Sequence, residues 1–62
     1  MTPTQQLHTL FTMKRYGGNF YQCLAVAGIN ADSANRERIF EAFPEIEDTY
    51  GPMSALYSED LG

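Results

Sequence analysis

The chain is poor in cysteine and in positive charge. Cys23 is the only cysteine among 62 residues, so no intrachain disulfide is available, and an unpaired thiol agrees with a reducing compartment. A domain of this size buries only about 60% of the surface its unfolded chain exposes. The missing disulfide therefore leaves a marginal core and raises the weight of a partner or of self-association. Four bases stand against eight acids, for a formal net charge of −4, which disfavours nucleic acid as a partner. No apolar run approaches 18 residues, so no membrane span is expected. The first six residues, Met1 to Gln6, lack the basic and apolar regions of a signal peptide. These absences together point to the cytoplasm. Internal repeats, low-complexity tracts and the glycine-lysine pattern of a phosphate loop are also missing.

What is present reads as a folded helical chain. Hydrophobic residues make up 44% and charged residues 19%, a balance that favours a packed domain over disorder. Thr2 is an N-cap, Pro3 suits the first helical position, and Gln5 completes a capping box. Leu7, Leu10, Phe11 and Lys14 then mark one face of a helix over about 3–15, with Lys14 and Arg15 in its last turn. The adjacent Gly17 and Gly18 end this helix and free the backbone to turn.

Asn19, with Gln22 three residues on, forms a second capping box and opens a helix over about 20–29. Phe20, Cys23, Leu24 and Ala27 fall at i, i+3, i+4, i+7 and make one apolar stripe. This helix is the least polar segment, so the other segments are expected to pack around it. Gly28 either stops it early, with Leu24 and Ile29 in contact, or the helix continues to Asn30.

Asp32 or Ser33 caps a third helix, over about 33–43. Ile39, Phe40 and Phe43 form its buried edge, while Arg36, Glu37, Arg38 and Glu41 face water. Pro44 ends it and opens a short fourth helix with Ile46 and Tyr50 directed inward. Gly51 and Pro52 close that element. The expected architecture is an all-α domain over 1–52, three helices and a short fourth, followed by a tail over 53–62 that is docked or ordered by a partner.

The chemistry-bearing residues give no catalytic constellation. Cys23 and His8 are the sole thiol and imidazole. Cys23 falls on the apolar stripe, where a free cysteine is most often a buried packing residue. One cysteine and one histidine are too few for a zinc set of four. Glu45, Glu47 and Asp48 lie on a short surface helix without a nucleophile nearby. No enzyme, metal or cofactor is expected.

The second and third helices have the outline of a helix-turn-helix, with Asn35, Arg36 and Arg38 placed to read bases. Asp32, Glu37 and Glu41 oppose that use by repelling the phosphate backbone. Acidity is also uneven along the chain, because six of the eight acids fall at or after Glu41. Glu41, Glu45, Glu47 and Asp48 form a cluster suited to a cationic groove on a partner protein. Tyr50, Met53 and Tyr57 stand beside it as apolar anchors.

The series Tyr16-Gly17-Gly18-x-Phe20, Ala31-Asp32-x-x-Asn35-Arg36, Ala42-Phe43-Pro44-Glu45 and Tyr50-Gly51-Pro52 resembles small helical proteins encoded by bacteriophages and prophages. Ser33 stands where those proteins often carry proline, and Gly28 where they carry a large residue, which leaves the end of the second helix open. The resemblance implies a setting, the infected bacterial cell, and no reaction. With the acidic cluster, it frames the chain as a non-enzymatic accessory protein that binds and inhibits a host protein with a basic surface, such as a defence complex with a nucleic-acid channel. The alternatives are a small DNA-binding regulator and a self-assembling phage structural component.

Overall fold

The computed structural model describes residues 1–61, and among these the chain forms four α-helices and no strand. α1 spans Pro3–Tyr16, α2 Asn19–Asn30, α3 Ser33–Ala42 and α4 Glu45–Tyr50. This is a small all-α domain, as the pattern of caps and breakers implies. Among the described residues no helix is long and apolar enough to cross a membrane.

The start of α1 follows from its first residues. Thr2 Oγ1 accepts from the Gln5 amide at 3.1 Å, and Gln5 Oε1 accepts from the Thr2 amide at 2.9 Å. Two of the four orphan donors at the helix start are thereby satisfied. Further along, Thr9 and Thr12 are fully buried with Leu10 and Met13. A buried hydroxyl is costly unless bonded, and each threonine donates to the carbonyl one turn back, Gln5 O and His8 O, both at 2.8 Å. Their methyl groups are thus free to serve the core.

α1, not α2, supplies most of the buried core, with α2 and α4 packed on it and α3 packed on α2. The fully buried apolar side chains are Leu10 and Met13 from α1, Ala25 from α2 and Ile46 from α4, with Tyr50 beside them. α1 touches both α2 and α4 along its length. The expectation of a central α2 rested on mean hydropathy, which does not say where a helix lies. α2 meets α1 and α3 but leaves Phe20, Cys23, Val26 and Ala27 exposed, so part of its apolar surface stays outside.

The α1–α2 corner also departs from expectation. Neither glycine adopts a left-handed conformation: Gly17 has φ −76° and Gly18 φ −74°. Gly17 is required by space instead. A Cβ there would lie 2.7 Å from Met13 O and 2.8 Å from Tyr21 Cβ. Gly18 is the N-cap of α2 and makes no side-chain cap bond. Asn19 is already the first helical residue, so the Asn19–Gln22 capping box does not form.

Gly28 does not stop α2. It is buried inside the helix where Leu10 approaches, with Leu10 Cδ1 2.9 Å from where a Cβ would stand. The absence of a side chain there lets the two helices close together. α2 therefore runs on to Asn30, whose amide group donates to Val26 O at 2.9 Å.

Asp32 caps α3 by accepting from the Asn35 amide at 2.8 Å. Ile39, Phe40 and Phe43 are half-buried against the core, the edge expected of them. Phe43 sits just outside the helix at φ −129°, ψ 70°, because the following Pro44 disfavours helical geometry in the residue before it. Pro44 in turn caps α4, which sends Ile46 and Tyr50 inward. After Gly51 the chain continues in turns. The Ser58 amide donates to Thr12 Oγ1 at 3.3 Å, and Tyr57 meets His8 edge-on at 6.3 Å between ring centroids. The tail is docked on α1.

Candidate functional site

The acidic cluster is built on the α3–α4 join. Glu41 lies near the end of α3, and Glu45, Glu47 and Asp48 occupy the first turn of α4, where negative charge suits the helix dipole. All four are exposed. One is tethered: Tyr21 of α2 donates its hydroxyl to Glu45 Oε2 at 2.9 Å. That hydrogen bond, then partial burial and the charge of Glu45, push the Tyr21 phenol above its ordinary value. The bond ties the acidic turn to α2, so its orientation does not depend on Pro44 alone.

The expected apolar anchors separate in space. Met53 is 98% exposed, whereas Tyr50 is only 9% exposed. Tyr50 therefore belongs to the core and not to the rim of the acidic surface, because as the last residue of α4 it lies one turn after Ile46 on the same face. Tyr57 is half-buried against His8 of α1, and among the described residues neither its hydroxyl nor His8 Nδ1 has a hydrogen-bond partner. Desolvation first, and Glu59 second, push the Tyr57 phenol up.

α2 is rotated from the expected stripe by about one residue. Tyr21, Leu24, Ala25 and Gly28 face inward, and Phe20, Cys23, Val26 and Ala27 are exposed. Cys23 is accordingly not the buried packing residue its neighbours implied. The cause is size and bonding. The face opposing α1 needs small residues for close approach, and Ala25 and Gly28 supply them. Tyr21 carries its ring in toward Tyr50, 6.3 Å away, and its hydroxyl out to Glu45. Phe20 remains 57% exposed, edge-on to Phe43 at 5.6 Å. The signal for this rotation was the i, i+4, i+7 series Tyr21, Ala25, Gly28, which hydropathy alone ranks below the more apolar neighbouring stripe.

Of the bases, Arg38 is exposed as expected, whereas Arg36 is not where a solvated helix would leave it. Arg36 turns back to the end of α2, its Nε donating to Gly28 O at 2.9 Å and its Nη2 to Ile29 O at 3.2 Å and Ala31 O at 3.0 Å. It closes the α2 C-terminus and is not free to read a base. Arg38 donates to Asn35 Oδ1 at 3.2 Å. Among the described residues no group of three or more His, Cys, Asp or Glu side chains is placed to hold a metal ion.

Fold and surface together define a small all-α domain that exposes an acidic cluster at the α3–α4 join and part of the apolar surface of α2. No family model, curated protein or solved structure matches the chain.

Proposed function

We propose that this chain is a non-enzymatic accessory protein of a phage, which binds a basic surface on a host protein and inhibits it. Defence complexes with cationic nucleic-acid channels are the target class that its acidity fits. The contact surface in this reading is Glu41, Glu45, Glu47 and Asp48, with Met53 as an exposed apolar anchor. The observation that carries it is that all four carboxylates are exposed on consecutive elements while Tyr21 holds the turn that bears three of them. Charge presented on a held turn loses little freedom on binding, so complementarity is turned into affinity and encounter rate. Engagement of Arg36 by α2 carbonyls counts against the DNA-reading alternative.

The test is capture from host lysate, identification of the partner by mass spectrometry, and titration of the purified pair. Glu47→Lys with Asp48→Lys is the informative variant, since Glu45 also serves Tyr21. With the helical spectrum intact, binding should weaken tenfold or more, equal to about 1.4 kcal/mol. Unchanged affinity at low salt would remove the acidic surface from consideration.

A further inference from the structure

Among the four described helices α2 alone carries no charged residue, since every Lys, Arg, Asp and Glu lies outside residues 16–31. Its exposed side presents Phe20, Cys23, Val26 and Ala27, with Asn19 and Asn30 at the two ends. At 100° per residue, Asn19, Cys23, Val26 and Asn30 fall within about 30° of the direction opposite to the inward-facing Tyr21, Leu24, Ala25 and Gly28. Their spacing of four, three and four residues is that of a helix–helix seam. The α1–α2 groove, about 500 Å³ in volume and lined by Lys14, Gln22, Cys23 and Val26, borders one edge of the seam. Phe20 and Ala27 form the other edge, toward α3.

From this we infer that α2 pairs with α2 of a second copy of the chain, antiparallel, about a two-fold axis at its midpoint. A two-fold interface uses one patch twice, so the patch must fit its own rotated image. Antiparallel pairing sets Asn19 against Asn30, Gln22 against Ala27 and Cys23 against Val26, all exposed, while the inward residues map only onto one another. Sizes agree with that register. Phe20 falls about 3 Å along the axis from Ala27 of the second copy and on the same edge, so the large side chain of each copy covers the small one of the other. Cys23 and Val26 lie on opposite sides of the seam line, so they interleave, and Val26 of each copy lies over the α1–α2 groove of the other. Asn30 gives its side-chain N–H to Val26 O, which leaves its Oδ1 to accept from the Asn19 amide group of the second copy. Charge is consistent with the same occupant. Two molecules of net charge −4 repel, and over α2 they meet without setting charge against charge, because Lys14 and Arg38 stand in the flanking grooves, off the seam. α2 has 12 residues, about 18 Å of helix. One such pair buries less than the roughly 1,200 Å² of a stable complex, so the association is weak, with a Kd of about 0.1 mM. The pairing does not use the acidic α3–α4 join and is independent of the proposed host target.

Sedimentation equilibrium of the full chain, with its thiol kept reduced, tests this between about 10 µM and 1 mM. The mass should rise from 7.0 kDa toward twice that value. Amide resonances of Cys23, Val26 and Ala27 should move with concentration while those of α4 stay in place. Val26→Glu, at an exposed position, should keep the chain monomeric throughout, with the helical spectrum intact. Asn19→Asp combined with Asn30→Lys reads the direction. An antiparallel pair sets the new charges opposite in sign at both ends, whereas a parallel pair sets like against like. The double variant should self-associate about threefold more tightly or better, and the gain should shrink with salt. The inference is overturned by a chain that stays monomeric at about 1 mM, by association that survives Val26→Glu, or by concentration-dependent shifts confined to the tail. Unchanged or weaker association of the double variant overturns the antiparallel arrangement.

Discussion

Gly17 and Gly18 are adjacent, identical and nearly equal in backbone angles, yet they do different work. Gly17 is enclosed by Met13 O and Tyr21 Cβ, whereas nothing lies within 4 Å of where a Gly18 side chain would begin. Gly17→Ala should accordingly destabilise by about 1–3 kcal/mol, the range for forcing a methyl into packed structure. Gly18→Ser should stabilise by about 0.5–1 kcal/mol, because Gly18 already holds the extended N-cap geometry and a serine adds a cap while restricting the unfolded chain. Urea denaturation of the two variants checks both signs at once. A glycine pair in sequence announces a corner, and that much was legible. Which of the two is indispensable depends on Tyr21 and Met13 arriving from either side.

α2 is an element whose C-terminal end is closed by another part of the chain. Its N-cap is a glycine without a side chain, and its last turn has no basic residue of its own. Arg36, eight residues beyond Gly28, satisfies the C-terminal carbonyls from α3. Arg36→Met keeps the stem and loses the planar donor group, so it should cost about 1.5–3 kcal/mol, the scale of hydrogen bonds to a charged group. Arg36→Lys should recover only part of that, because an ammonium cannot span three carbonyls as the guanidinium does. Thermal unfolding followed by circular dichroism measures the series. Near-equality of Arg36→Met with the parent would mean that solvent caps α2 equally well. Pattern reading assigns Arg36 to a water-facing side by its neighbours, and nothing local reveals a bond to the preceding helix.

At the scale of the whole molecule, two phenols link the outer pieces to the body, Tyr21 joining α2 to α4 and Tyr57 joining the tail to α1. Both hold their protons more tightly in the folded chain, Tyr21 chiefly through its hydrogen bond to Glu45 and Tyr57 chiefly through desolvation. A folded-state value raised above 10.0 means that the native state binds more protons than the unfolded state in the window just above it. Stability from these groups is therefore complete below about pH 10 and falls as pH rises through the folded values. The melting temperature should decline above about pH 10, and Tyr21→Phe and Tyr57→Phe should each make that decline shallower. A slope unaltered by both substitutions would assign the alkaline loss to other groups.

The sequence by itself determined the helical class, the positions of the breaks and the local caps. Thr2, Gln5, Asp32, Pro44 and Gly51 act through bonds or sterics within four residues, so their effects can be read one after another. It also marked Ile46, Tyr50 and the Ile39–Phe43 edge as inward-facing, since each lies opposite charged or polar residues on its own short helix. Tertiary structure alone decided which helix is central and which way α2 turns. α2 is apolar nearly all round, so its own pattern leaves the rotation undetermined. The small residues Ala25 and Gly28 against Leu10, and the reach of Tyr21 to Glu45, settle it. The exposed Phe20, Cys23 and Ala27, and the groove beside them, follow from that rotation, which depends on contacts between residues far apart in the chain.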